Sequence, residues 1–185
     1  MHICVFLSAA DLDRRYTDAA TSLGREIAAG GHTLVWGGSD VGLMRALADA
    51  VHDAGGRLLG ISVEFLESKA RVVQPPDQIV VSKDLAERKA LLLARSDAIV
   101  VMVGGTGTLD EATEIIELRK HALHDKPVVF LNTDGFYDGL RQQFARMDAE
   151  GFLPVRLERL VAFVDRPEQV LPAITEAMER AETPT

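Results

Sequence analysis

The stretch AIVVMVGGTGTLDEATE, residues 98–114, decides the fold. Six apolar residues without polar alternation come first, as in a strand covered on both faces of a parallel sheet. Gly104, Gly105 and Gly107 then make a bare turn, and a charged, helix-forming segment opens with Asp110 and Glu111. A buried strand that runs through a glycine turn into a helix is one half of a strand–helix–strand unit. Six further apolar runs, at 2–7, 33–37, 57–63, 78–82, 126–132 and 159–164, read as strands of the same kind. Amphipathic patterns at 13–29, 42–54, 84–95, 109–123, 135–149 and 167–181 read as the helices between them, with Pro167 in the first turn of the last. This alternation predicts an α/β fold: a Rossmann-like, doubly wound, mostly parallel sheet with helices on both faces. No linker divides it, so residues 1–181 form one domain and 182–185 a frayed tail. The least regular part is 64–77, where the pair Pro75-Pro76 forbids a continuous helix.

Composition narrows the function. The chain has 185 residues, 47% hydrophobic and 26% charged, enough for one sizeable core. A net charge of −8 and the absence of a basic stripe argue against a nucleic-acid polymer as partner. No stretch approaches the ~20 apolar residues of a membrane span, and no basic-then-apolar leader is evident, so no membrane partner and a cytoplasmic location are expected. The lone Cys4, inside an apolar run, reads as core. His52, His121 and His124 have no metal-ligand spacing, and no metal site is expected.

In an open α/β sheet, ligands bind outside the carboxyl ends of strands, where helices begin. Glycines there let backbone N–H groups approach an anion, and the helix start adds partial positive charge. The turn at 104–108, with hydroxyls on Thr106 and Thr108, reads as a phosphate cradle. It lacks the Gly-Lys-Ser/Thr ending of a Walker loop and the spacing of a dinucleotide fingerprint. By itself such a turn also serves as a tight strand-to-helix connection, with Asp110 and Glu111 complementing the helix dipole. A second glycine turn, WGGSDVGLM at 36–44, brings Gly37, Gly38 and Gly42 to the same sheet edge. A third element, KDLAERKALLLARSDA at 83–98, places Arg88 and Lys89 near a helix start, against the dipole.

These three elements, in this order, resemble the Lonely Guy (LOG) family, often labelled lysine decarboxylase-like. The resemblance covers nearly the whole chain and includes ICVF, the GLM of the second turn, AVHDAGG, ERK before SDA, GGTGTLDE and HDKPVVFLNTDGFYDGL. Its most specific part is an Arg-Lys pair followed by P-G-G-x-G-T-x-x-E, here Arg88, Lys89 and Gly104 through Glu111. It implies hydrolysis of the N-glycosidic bond of a nucleoside 5′-monophosphate, of the cytokinin riboside or AMP type, to free base and ribose 5-phosphate. No cofactor is implied, and a homodimer is, with helices 84–95 and 109–123 packing across the two-fold. Leu91, Leu92, Leu93, Ile115, Ile116 and Leu118 are more apolar surface than one helix face needs against a sheet.

The same resemblance implies a catalytic pair, Arg88 and Glu111. Cleavage of a ribosyl bond develops oxocarbenium-like charge, which a carboxylate at Glu111 stabilises while it draws a proton from the attacking water. Arg88 holds the phosphate or ribose side and orients Glu111. The substrate-binding residues implied are Ser8, Gly38, Met44, Lys89, Gly104, Gly105, Thr106, Gly107, Thr108 and Glu114. Asp110, roughly 100° around the helix from Glu111, is left out of the chemistry.

Four departures bear on the substrate. The family's C-G-S-S after the first strand is Leu7-Ser8-Ala9-Ala10; its G-G-G-S-x-G-L-M-G is 37–45 with Asp40 near the expected anion site. Val103 replaces the proline before the glycines, and T-W-x-Q-L-G is replaced by Glu117 to Ala122. The last change recasts a region expected to line the base pocket. A pyrimidine or modified nucleotide of secondary metabolism, ribosyl transfer to another base, and nucleotide binding without turnover are the alternatives.

Overall fold

The computed structural model describes residues 1–75 and 77–182. Pro76 and residues 183–185 of the tail expected to fray lie outside the described residues, whereas Glu182, counted in that tail, ends the last helix. Among those described, seven strands form one sheet: β1 (His2–Phe6), β2 (Thr33–Trp36), β3 (Arg57–Val63), β4 (Gln78–Ser82), β5 (Ala98–Val101), β6 (Val128–Leu131) and β7 (Ala162–Val164). Their order is β4-β3-β2-β1-β5-β6-β7, and every pairing is parallel.

Side chains alternate across this sheet, and both faces are buried, which is why the strands read as unbroken apolar runs. Ile3 and Val5 point to one face, where α1 (Arg14–Ala29), α2 (Gly42–Asp53) and α7 (Val170–Glu182) bury Leu23, Ile27, Leu47, Val51 and Ile174 against them. Cys4 and Phe6 point to the other, packed with Leu92 of α3 (Leu85–Ala94), Ala112 and Ile115 of α4 (Thr106–Lys120), and Phe144 of α5 (Asp138–Ala149). Cys4 is core, as its apolar neighbours predicted. Burial first, and Glu111 second, push its thiol well above the usual pKa. No helix among the described residues is long and apolar enough to cross a membrane.

The strand order reverses between β1 and β5. Their carboxyl ends therefore open a crevice, the place where such sheets bind ligands. The loops leaving both strands are tied together there by Ser8 N–H donating to the Val103 carbonyl at 3.1 Å.

Several boundaries differ from the sequence expectation. Helix α4 starts at Thr106, three residues before the expected 109. Its first turn has no apolar stripe because it faces the crevice rather than the core, so a pattern of apolar periodicity begins only at Leu109. Helix α5 starts at Asp138 rather than 135, since a 3-10 turn at Thr133–Gly135 holds Asp134 in the left-handed region. The run 159–164 is strand only in its second half: Leu157–Leu160 form a short helix, α6, that buries Leu160, and Ala162–Val164 pair with β6. The last helix is preceded by a 3-10 turn at Pro167–Gln169. Between β3 and β4, Glu64–Lys69 form a 3-10 turn, after which Ala70 bridges to Ser39.

Candidate functional site

Five segments meet at the crevice: the loop after β1, the start of α2, the 3-10 turn Glu64–Lys69, the start of α3, and the β5–α4 turn. They line an open cleft of about 380 Å³. Its polar half holds Ser8, Arg88, Lys89, Gly105 through Thr108, Asp110 and Glu111; its apolar half holds Leu7, Ala9, Met44, Leu66 and Leu85.

Among the described residues, Arg88 and Glu111 are the one pair in the cleft that is both charged and nearly buried. Their side chains are 11% and 12% exposed, and Arg88 Nη1 donates to Glu111 Oε1 at 2.9 Å. Arg88 is aimed there by a second bond, from Nε to the Ile61 carbonyl at 2.9 Å. The helix that carries it is started by Asp84, whose side chain accepts from the Glu87 N–H at 2.8 Å. Burial raises the Glu111 pKa above the ordinary glutamate value, and the Arg88 charge pulls it part of the way back.

Gly37 makes room for this pair. A Cβ at that position would overlap Arg88 Nη2. Gly37→Ala is therefore expected to expel the guanidinium and to lower activity roughly 10²–10³-fold, the cost of losing one aligned donor. A steady-state assay checks this; wild-type kcat/KM in Gly37→Ala would show that Arg88 need not occupy this space.

At the start of α4, Gly105 is the N-cap and supplies no side-chain acceptor to the first-turn N–H groups. Gly105, Thr106 and Gly107 are exposed, so the helix start presents its positive end to the cleft. With the helix beginning at 106, Asp110 and Glu111 lie in the second turn and not the first. Dipole pairing in the first turn, the plain reading of these acids, does not describe their position.

Of the residues singled out in the sequence, Ser8, Met44, Arg88, Lys89, Gly105, Thr106, Gly107, Thr108 and Glu111 are brought together. Three are not in the lining. Gly38 is buried behind the second turn, beside Ser62; Gly104 packs under Thr108; Glu114 is turned outward as an ion-pair partner of Lys89. Lys89 also meets Asp110 at 3.0 Å, so its charge is committed to two carboxylates of α4 rather than left free for a ligand. Asp110, set aside in the sequence reading, lines the cleft. Leu66 and Leu85 were missed as well; both follow from chain crossings that no local pattern carries.

Residues 44–174 match a family model described as "possible lysine decarboxylase". A probable cytokinin riboside 5′-monophosphate phosphoribohydrolase of Oryza sativa subsp. japonica, LOGL9, is 38% identical over 167 residues, 90% of this chain and 73% of the relative. The cytokinin riboside 5′-monophosphate phosphoribohydrolase LOG5 of Arabidopsis thaliana is 38% identical over 152 residues, 82% of this chain and 67% of the relative. Among solved structures, the molybdenum cofactor carrier protein of Chlamydomonas reinhardtii superposes with a TM-score of 0.71 at 23% identity, covering 96% of this chain and 98% of that one. That likeness concerns the fold alone.

Proposed function

The chain belongs to the LOG family, and from that premise we propose that it is a phosphoribohydrolase: it hydrolyses the N-glycosidic bond of a nucleoside 5′-monophosphate, releasing the base and ribose 5-phosphate. The observation that carries this reading is the buried Arg88–Glu111 pair facing the open N-terminus of α4. Phosphate fits the first-turn N–H groups at 105–108, of which Gly105, Thr106 and Gly107 are exposed and where the helix start favours an anion. The ribose then lies over Glu111, whose carboxylate stabilises positive charge developing at the anomeric carbon and accepts the proton of the attacking water. Arg88 keeps Glu111 in place and adds positive charge beside the ribose phosphate. The flat, apolar base falls to Met44, Leu66 and Leu85.

Binding without turnover gains nothing from a buried carboxylate beside a phosphate site, so Glu111 speaks for hydrolysis. The test is incubation with AMP, GMP, CMP, UMP, dAMP and N6-isopentenyladenosine 5′-monophosphate, with chromatography for free base and ribose 5-phosphate. Release from one or two of them supports the reading and names the base. No release from any, in a folded sample, overturns it in favour of a carrier or a transferase.

The pH dependence follows from Glu111. Activity needs its carboxylate, and its pKa stands above the ordinary 4.5. The acid limb of kcat/KM is therefore expected above that value, with activity falling as pH drops through it. Stability runs the other way at this residue. A folded pKa above the unfolded one favours folding when protonated, and that contribution is lost as pH rises through the folded value. An acid limb at or below 4.5 would remove Glu111 from the ionising step.

A homodimer across α3 and α4 is part of this proposal. Leu92 and Ile115 are core, but Leu91, Leu93, Ile116 and Leu118 are only half-buried in the single chain. Sedimentation equilibrium is expected to give twice the 20.1 kDa chain mass; a monomer at micromolar concentration would exclude it.

A further inference from the structure

The segment after β3 is attached to the rest of the molecule in an unusual way. Its 3-10 turn, Glu64–Lys69, places no residue in either core cluster, so the core does not anchor it. Polar contacts do. Arg71 N–H donates to the Gly38 carbonyl at 2.7 Å, Asp40 N–H to the Lys69 carbonyl at 2.9 Å, and Ser39 and Ala70 form an isolated antiparallel bridge. The Arg71 side chain, 15% exposed, places Nη1 at 3.1 Å from Asp40 Oδ1 and 2.5 Å from Asp49 Oδ1 on α2. Arg45 Nε adds a bond to the Asp40 carbonyl at 2.7 Å. Asp40, an unexpected acid in a turn thought to lie near an anion, is thus occupied by Arg71.

We propose that Arg71 is a positioning residue that latches residues 64–71 onto the second glycine turn, and so fixes the apolar wall of the cleft and its choice of base. Two walls meet at this latch. One is Leu66, which lines the cleft but belongs to neither core cluster and is 37% exposed. The other is the turn 37–40, whose Gly37 abuts Arg88, with Met44 following on α2. Releasing Arg71 frees Leu66 to retreat from the base, while Arg88 keeps its bonds to the Ile61 carbonyl and to Glu111, neither of which belongs to the latch. The latch therefore acts on binding and selectivity rather than on bond cleavage. Both carboxylates meet the same nitrogen, so a lysine ammonium can replace the contact, but a neutral side chain of similar length cannot.

This inference rests on the nucleotide reading of the cleft, and the experiment separates the two. Arg71→Met and Arg71→Lys would be compared with wild type by hydrogen exchange and by kinetics on AMP and N6-isopentenyladenosine 5′-monophosphate. Arg71→Met is expected to speed exchange of the Asp40 and Arg71 amides, to raise KM about tenfold for the preferred nucleotide with little change in kcat, and to shift the ratio of kcat/KM between the two nucleotides by about tenfold, the scale of one apolar pocket contact. Arg71→Lys is expected to restore all three. Unchanged exchange or an unchanged ratio in Arg71→Met overturns the proposal, as does an equal loss of kcat on both nucleotides that Arg71→Lys fails to rescue. If wild type releases no base, the function reading fails and the latch is judged by exchange and AMP calorimetry: binding weakened by Met and kept by Lys supports it, and equal binding overturns it.

Discussion

Glu111→Gln is expected to lower kcat/KM by roughly 10²–10⁴-fold, the range for a positioned proton-transfer group. The substitution removes the charge and keeps the shape. The amide oxygen still accepts from Arg88 Nη1, and Arg88 retains its bond to the Ile61 carbonyl, so the pair is weakened electrostatically without being scattered. Near-UV circular dichroism should match wild type. The loss should fall on kcat more than on KM, because the carboxylate acts on charge that develops only as the glycosidic bond breaks. Glu176→Gln, exposed on α7 away from the cleft, should stay near wild type, as most surface changes do. Full activity in Glu111→Gln would sink the assigned chemistry.

The largest effect on stability is expected at Gly42. This residue has a φ of +56°, and a Cβ there would run into the Ala9 and Ala10 carbonyls. Those carbonyls belong to the loop that brings Ser8 into the cleft, and the Ala10 carbonyl accepts from Leu43 N–H at 3.3 Å in the first turn of α2. Gly42→Ala combines left-handed strain with a clash against backbone, and together these cost about 3 kcal/mol, or roughly 6–12 °C in Tm for a chain of this size. Gly55→Ala is the matched control: its φ is +75°, but nothing lies within 4 Å of the added methyl. It bears the strain alone, about 1 kcal/mol. Thermal melts showing equal losses at the two positions would mean that the approach of the 9–10 loop to α2 is not tight.

The sheet was readable in the sequence because its strands are covered on both sides. That leaves apolar runs such as AIVV at 98–101, which no solvent-facing residue interrupts. Where an element answers to the cleft rather than the core, the pattern failed. The first turn of α4 carries no apolar periodicity, and the run around Leu160 is apolar because a short helix buries that side chain. Arg88 and Glu111 were found through a family motif; their spacing of 23 residues says nothing about contact until the fold brings the starts of α3 and α4 to one cleft. The fit of Gly37 against Arg88, the outward turn of Glu114 to Lys89 and the pairing of Arg71 with Asp40 and Asp49 are all contacts between segments distant in the chain. Composition and local spacing carry no trace of them.

The place of the cleft also bears on when it comes into being during folding. The seam beneath it joins β1 to β5, a pairing bridged by His2 N–H and Asp97 across 95 residues of chain. Every neighbouring pair on the β4 side of β1 closes a shorter loop. Closing the longest loop comes at a high entropic cost before its contacts reward it, so this seam is expected to zip late. The amino-terminal half emerging from a ribosome thus holds Ser8, Met44 and Arg88 in a partial sheet that has no Glu111 to face. Recovery of base release after dilution from denaturant should track the slowest sheet-forming phase, and activity appearing ahead of that phase would place the β1–β5 seam early.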